Sequence, residues 1–244
     1  MTEQLGYLDI HSHILPGVDD GSENWEMTMQ MLHMAYCQGV RRMVATPHNY
    51  PAHRKQNNEQ IRELVEEANH RAKQIAPDFQ ILCGNEILYR RGIAEEIEKG
   101  QILTMADSKY LLVEFLPREE YGKIYQGLRE LVEEGYIPIV AHMERVKTLF
   151  EDEAKVRELI EMGSLIQVNS ESLLGGMFDR KAARLQKIVG KGMVHFFGSD
   201  CHNLTTRPPM MKDCVERLCK KLPETCMNRI LYENQEQFLQ KKYI

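Results

Sequence analysis

The sequence predicts a parallel α/β fold, on three observations. Seven short apolar runs, many of them β-branched, alternate with longer amphipathic segments. The alternation runs through most of the 244 residues. Six of the seven runs end in His, Glu or Asp, which places chemistry at the carboxyl ends of strands, where parallel α/β folds keep it. Seven strand–helix units suit either a barrel related to the eight-stranded one or an open sheet, and composition does not choose between them.

Each element follows from local sequence. The first strand, Tyr7–Ile10, runs into Asp9-Ile10-His11-Ser12-His13 and a turn-rich stretch through Asp19, Asp20 and Gly21. A helix over Glu23–Gln38 is marked by Met27, Met31, Met34 and Ala35 at helical spacing, with Gly39 as its stop. Strand Arg42–Thr46 leads to His48, and a helix spans Asn58–Ala76. Strand Gln80–Cys83 precedes Gly84-Asn85-Glu86, and strand Tyr110–Phe115 carries Glu114. A helix over Arg118–Glu134 is followed by strand Ile137–Ala141, ending at His142. A helix over Glu151–Met162 then leads to strand Ser164–Val168, ending at Asn169 and Ser170. After a helix over Asp179–Lys191, strand Val194–Gly198 ends in Ser199-Asp200-Cys201-His202, and helices over Met210–Lys221 and Glu224–Lys241 close the chain. With no internal repeat or linker, residues 1–244 read as one domain.

Composition narrows the function classes. Thirty-one Lys and Arg against 36 Asp and Glu give a net charge of −5, which argues against a nucleic-acid or membrane-surface binder. No apolar run nears the roughly 18–20 residues that span a bilayer. The N-terminus lacks the charge and apolar pattern of a signal peptide, so a cytoplasmic protein is expected. The six cysteines form no C-x-x-C pair and read as reduced thiols.

Alternation along a strand puts His11 and His13 on one side. A lone histidine is most often a surface or hydrogen-bonded residue, and that reading is kept for His33, His53, His70 and His195. The set at the strand ends is different: an H-x-H pair, two Glu, three further His and an Asp. Imidazole and carboxylate together suit zinc, iron or manganese. Their number exceeds the needs of one tetrahedral ion and points to two or three metals sharing a carboxylate.

The segments DIHSHILPGVDDG, ATPH, GNE, VEF, AHMER, VNSESLLG and GSDCHNLTTRPP resemble the polymerase-and-histidinol-phosphatase (PHP) superfamily. More closely, they resemble its bacterial manganese-dependent protein-tyrosine phosphatases of capsule and exopolysaccharide operons. The resemblance runs from Leu8 to about Pro209. It implies a distorted, TIM-barrel-like (β/α) barrel of about seven parallel strands with up to three metals at the strand C-terminal face. One metal would be held by His11, His13, Glu86 and Asp200. A second would share Glu86 and use Glu114 and His142, and a third would use Asp20, His48 and His202. Asp9 would orient a histidine. Arg145 and Arg207 match positions that bind the phosphate, as a guanidinium fork suits a phosphoryl group; the bland alternative for each is a surface ion pair. The resemblance implies manganese as cofactor, with iron, zinc, cobalt or magnesium as alternatives. As partner it implies the phosphotyrosine-rich tail of a bacterial tyrosine kinase controlling polysaccharide export. The family commonly has Pro where this chain has Met143, and Ala where it has Cys201.

The expected reaction is in-line attack on phosphotyrosine by a metal-activated hydroxide, without a phosphoenzyme. The phenolate leaving group, with a conjugate-acid pKa near 10, needs little protonation, which His48, His202 or a bound water could give. Cys201 and Arg207 also satisfy C-x(5)-R, the signature of cysteine-dependent tyrosine phosphatases. The intervening residues contain no glycine and two prolines follow, so that motif is read as a decoy. Competing readings are a small-molecule phosphoesterase acting on histidinol phosphate or a nucleotide, an amidohydrolase-like C–N hydrolase, and a non-enzymatic module. The segments His48–Tyr50, Glu119–Tyr121 and Asn203–Thr206 are expected around the pocket mouth.

Overall fold

Parallel strands close around an apolar interior and helices pack outside them, so the barrel expectation holds. The computed structural model describes residues 6–50, 57–175 and 179–244; His53, read above as an ordinary histidine, lies outside them. The strands are β1 (Tyr7–Ser12), β2 (Val40–Ala45), β3 (His48–Asn49), β4 (Gln80–Cys83), β5 (Glu86–Leu88), β6 (Tyr110–Glu114), β7 (Ile137–Val140), β8 (Leu165–Asn169) and β9 (Phe196–Gly198). The helices among them are α1 (Trp25–Cys37), α2 (Asn58–Ile75), α3 (Ile93–Glu98), α4 (Tyr121–Glu133), α5 (Lys147–Phe150), α6 (Glu153–Glu161), α7 (Arg180–Gly190), α8 (Lys212–Cys219), α9 (Glu224–Asn228) and α10 (Asn234–Leu239).

Two parallel sheets run in the orders β1-β2-β4 and β3-β5-β6-β7-β8-β9. The chain joins them twice, because β3 continues β2 past Thr46-Pro47 and β5 continues β4 past Gly84-Asn85. Pro47 has no N–H to give a ladder. Gly84 lets the backbone pass where a Cβ would come within 2.9 Å of Met105 Sδ. The ring closes between β9 and β1. There the Asp200 N–H donates to His11 O at 2.8 Å and the His13 N–H to Cys201 O at 2.9 Å.

The interior is filled by Leu8, Ile10, Val44, Tyr110, Leu112, Ile137, Ile139, Ala141, Leu165 and Phe196. Phe238 of α10 seals its lower end, 5.0 Å from the Tyr110 ring and 5.8 Å from Phe196. Burying each such side chain contributes about 1.5–3 kcal/mol. The helices lay apolar stripes on the outside of the barrel, as with Ile124, Leu128 and Leu131 of α4. Asn24 caps α1 by accepting the Met27 N–H at 3.0 Å. Asn57 and Gln60 form a capping box at the start of α2.

One expectation on elements needs correction, and one short helix has no counterpart in the sequence reading. The helix expected over Glu151–Met162 is α6, capped by Asp152 through the Ala154 N–H; the four-residue α5 precedes it and is too short to show a period. The last helix, expected to be continuous over Glu224–Lys241, is interrupted by wider π-type turns over Arg229–Glu233.

His195 behaves as the ordinary histidine it was read to be. Its Nδ1 accepts the Ile166 N–H at 3.1 Å. Burial, with help from the Arg229 charge, brings its pKa down to about 4. The unfolded chain therefore binds a proton between about pH 6.5 and 4 that the folded chain does not. The stability this neutral ring contributes is complete above pH 6.5 and is lost as pH falls toward 4, by about 2–3 kcal/mol. In urea titrations across that range, His195→Asn, whose Oδ1 can still accept from Ile166, should show a shallower fall in midpoint. An unchanged slope would refute the assignment.

Candidate active site

The pocket lies at the carboxyl ends of the strands, and strand irregularities aim its side chains. Leu8 and Ile10 face the interior, so strict alternation would turn His11 outward. A register shift between Asp9 and Ser12 lets His11 and His13 also point inward. His11 then packs against β9 at Gly198, where a Cβ would lie 2.7 Å from the His11 Cβ. His142 and Asp200 are turned in by backbone at φ +29 and +53. Side chains rarely adopt such angles, and they concentrate at functional sites.

All nine sequence-predicted donors meet in this pocket. His11 Nε2 lies 3.3 Å from His13 Nε2, 3.3 Å from Glu86 Oε1 and 3.5 Å from Asp200 Oδ1. His13 Nε2 lies 3.4 Å from Glu86 Oε2 and 3.5 Å from Asp200 Oδ1. Bonds of about 2.1 Å in tetrahedral geometry put ligand atoms about 3.4 Å apart, so these spacings match the edges of a coordination polyhedron. Glu86 is the hub: its Oε1 also reaches His142 Nε2 at 2.8 Å, and its Oε2 lies 2.8 Å from His48 Nδ1. Glu114 Oε1 stands 3.6 Å from His142 Nε2. On the other side, Asp20 Oδ1 lies 3.2 Å from His48 Nε2 and 3.4 Å from His202 Nε2.

The electrostatics fit cations. Burial alone would push the Glu86 carboxyl up, yet the imidazoles of His11, His13 and His142 hold it well below the usual range. Burial would likewise pull His13 down, but Asp19, Asp200 and Glu86 raise it well above its ordinary value. His48 is pushed up to about 9 by Asp20 and Glu86 against the opposing effect of burial. The carboxylates thus call positive charge into a buried pocket. His48 Nδ1, Glu86 Oε2, His142 Nδ1 and His202 Nε2 are buried and, for all the short distances between rings and carboxylates, make no well-angled hydrogen bond among the described residues. Buried donor atoms left unsatisfied are costly, and divalent cations would satisfy this set.

The tertiary structure adds supports that spacing did not reveal. Asp19 Oδ2 holds His13 Nδ1 at 2.7 Å and accepts the His48 N–H at 3.1 Å. Gln167 Oε1 lies 3.2 Å from His11 Nδ1 and accepts the His142 N–H at 2.7 Å. The Asn169 amide, the polar end of the sixth predicted strand, donates to Asp200 Oδ2 at 2.8 Å. His202 Nδ1 faces Asp200 O at 2.9 Å, which frees Nε2 for the pocket. Asp19 had a signal in the Asp19-Asp20 pair; Gln167, in mid-strand, had none. Asp9 does not touch an imidazole. It accepts the backbone N–H groups of His11 and Ser199, so it positions His11 through the chain.

The two arginines converge on one carboxylate. Arg145 reaches Asp200 Oδ2 at 2.6 Å and Arg207 reaches Asp200 Oδ1 at 2.7 Å. Both are therefore pocket residues rather than remote surface ion pairs. The Asn203 side chain accepts the N–H groups of Thr205, Thr206 and Arg207 and shapes the loop that presents Arg207. Tyr50 stacks on His48 with ring centroids 4.7 Å apart, and its hydroxyl bonds Glu114 Oε2. Asn49, expected at the mouth, is instead buried and bonded to Asn85 and Gln101. Cys201 is fully buried, and burial with the Asp9 charge pushes its thiol up to about 12. Burial shields that thiol from the pocket, which supports reading the C-x(5)-R match as a decoy.

A closed parallel barrel that gathers imidazoles, carboxylates and arginines at its strand ends defines a class: barrel proteins whose chemistry rests on a polynuclear donor cluster. Within that class the chain belongs to the capsular polysaccharide synthesis family CpsB/CapC, whose profile matches residues 7–240. The tyrosine-protein phosphatase CpsB of Streptococcus pneumoniae is 34% identical over 242 residues, covering 97% of this chain and 100% of the relative. The tyrosine-protein phosphatase YwqE of Bacillus subtilis is 32% identical over 241 residues, covering 97% and 93%. A chain from the crystal structures of YwqE and CpsB, described as unique metal-dependent tyrosine phosphatases, superposes with a TM-score of 0.89 at 31% identity, covering 97% of this chain and 96% of that one.

Proposed function

We propose that this protein is a metal-dependent protein-tyrosine phosphatase that hydrolyses phosphotyrosine monoesters on a protein of capsule or exopolysaccharide synthesis. The observation that carries the reading is the Glu86 carboxylate, which lies within 3.4 Å of His11, His13, His48 and His142 in a chain related to named tyrosine phosphatases. His11, His13, Glu86 and Asp200 are assigned to one cation, Glu86, Glu114 and His142 to a second, and Asp20, His48 and His202 to a third. Manganese is the assigned metal on the family resemblance, and the imidazole and carboxylate donors, which suit zinc or iron as well, are compatible with it. When bound, such ions supply Lewis acidity toward phosphoryl oxygens and an ionised water as nucleophile.

The chain's own groups do the rest. Arg145 and Arg207, now sharing Asp200, are placed to turn toward the phosphate and spread its charge over two guanidinium forks. Asp19 and Gln167 lock imidazole orientation, so the cluster pays little reorganisation on binding. His48 and His202 face Asp20 as holders of the third cation, and the phenolate, a good leaving group, needs little protonation as it departs. The assigned partner is the phosphotyrosine-bearing tail of a bacterial tyrosine kinase, met in the cytoplasm. No described helix is long and apolar enough to cross a membrane.

The test is phosphotyrosine-peptide hydrolysis before and after chelation, followed by Mn²⁺ re-addition. Loss of activity on chelation and its return with Mn²⁺ are expected; chelator-resistant turnover would overturn the reading. In the same assay Cys201→Ala should keep activity within about threefold, because the thiol is buried and shielded from the pocket. Near-total loss with the cations still bound would return the cysteine mechanism to contention. Histidinol phosphate serves as the competing substrate, and preferential turnover of it would favour the small-molecule reading.

A further inference from the structure

Beside the donor cluster lies a separate cleft. It has a volume of about 780 Å³, and Arg145 lines both it and the pocket. Its apolar part is formed by Phe150, Ala182 and Leu185, and its walls carry Lys147 and Lys181 beside Glu151 and Glu144, the latter engaged in accepting the Asn169 N–H. Arg184, on the same wall, spends its guanidinium on the carbonyls of Phe150 and Glu151, which fixes the Phe150 edge. Asp179, also in the cleft, is spent capping α7 through the Lys181 and Ala182 N–H groups. Lys147 meets an anion only at 4.0 Å, in Glu151, and no ion pair holds Lys181 among the described residues.

We infer that this cleft is the subsite for the peptide flanking the phosphotyrosine, and that it selects acidic residues there. The inference rests on the phosphatase reading above. A phosphotyrosine held at Arg145 belongs to a chain that must leave the pocket along its surface, and the cleft begins at that same arginine. The apolar floor takes the flanking side-chain stems, and the two lysines stand where their carboxylates would end. A cleft that meets the pocket at one residue contributes to peptide binding without touching the reacting atoms. Its effect therefore falls on KM for peptides and is absent for a free aryl phosphate. Charge pairs of this exposed kind are each worth only a few-fold, and salt weakens them.

The experiment compares three substrates on the Mn²⁺-loaded enzyme: p-nitrophenyl phosphate, a phosphotyrosine peptide flanked on both sides by Glu, and the same peptide flanked by Lys. The wild type should favour the Glu-flanked peptide by about three- to tenfold in kcat/KM through KM, and less at high salt. Lys147→Glu with Lys181→Glu should reverse that preference and leave p-nitrophenyl phosphate turnover unchanged. Both residues are exposed and far from the core, so folding is not at stake. No flank preference in the wild type, or a preference that survives charge reversal, overturns the subsite. If the wild type turns over neither peptide, the phosphatase reading itself falls and the subsite with it.

Discussion

Glu86→Gln should lower kcat on a phosphotyrosine peptide by about three orders of magnitude or more and reduce the bound cation count. The substitution keeps the side chain's size and removes its charge. It also places an amide NH₂ against an imidazole at the hub, where Glu86 meets His11, His13, His48 and His142. One residue thus contributes to every part of the donor set, so its loss is not local. Burial makes the effect large, because a fully buried carboxylate sets the charge that holds the cations. The loss should appear in elemental analysis of the purified variant as fewer cations per chain. Chelation should lower the melting temperature of the wild type more than that of the variant, since cations bind only the folded state. Full cation content with activity within tenfold of wild type would refute the assignment of Glu86 as the shared ligand.

Arg145→Ala and Arg207→Ala should each lower kcat/KM by about 10²-fold. Inhibition by inorganic phosphate should weaken in parallel. The two guanidinium groups lie on opposite oxygens of Asp200, at 2.6 and 2.7 Å. Substrate must compete for them with that carboxylate, and a bound cation on Asp200 would lower its claim. Lysine should restore only part of the activity, because it keeps the charge but loses the planar fork. Cation content should stay at the wild-type level in all four variants, which separates phosphate binding from damage to the cluster. Unchanged phosphate inhibition in both alanine variants would return the arginines to a purely structural role on Asp200.

The site was legible in the sequence because its chemistry needs rare residue types in fixed order at the ends of strands. His11, His13, His48, Glu86, Glu114, His142, Asp200 and His202 could be picked out as a set, not singly, because H-x-H followed by further strand-end ligands is hard to produce by chance. Asp20 was reached through the motif around it. The strands that carry them were recognised by their β-branched runs to within a residue or two at most ends. The short β3 and β5 were not, since two- and three-residue segments carry no period to read.

What the sequence by itself determined was the order of strands and helices, the donor inventory and the family pattern. The tertiary structure alone decided that the sheet closes, through hydrogen bonds between β9 and β1 whose partners are some 190 residues apart. It alone decided the direction of His11, because a register shift overrides simple alternation. It brought Gln167 and Asp19 behind the imidazoles and set both arginines on Asp200. It also buried Cys201, which separates a thiol that matches a motif from one that can reach the pocket. Period and composition act along the chain, over a few residues. Closure, desolvation and the field of buried charges act across it, and only the folded chain brings their sources within reach.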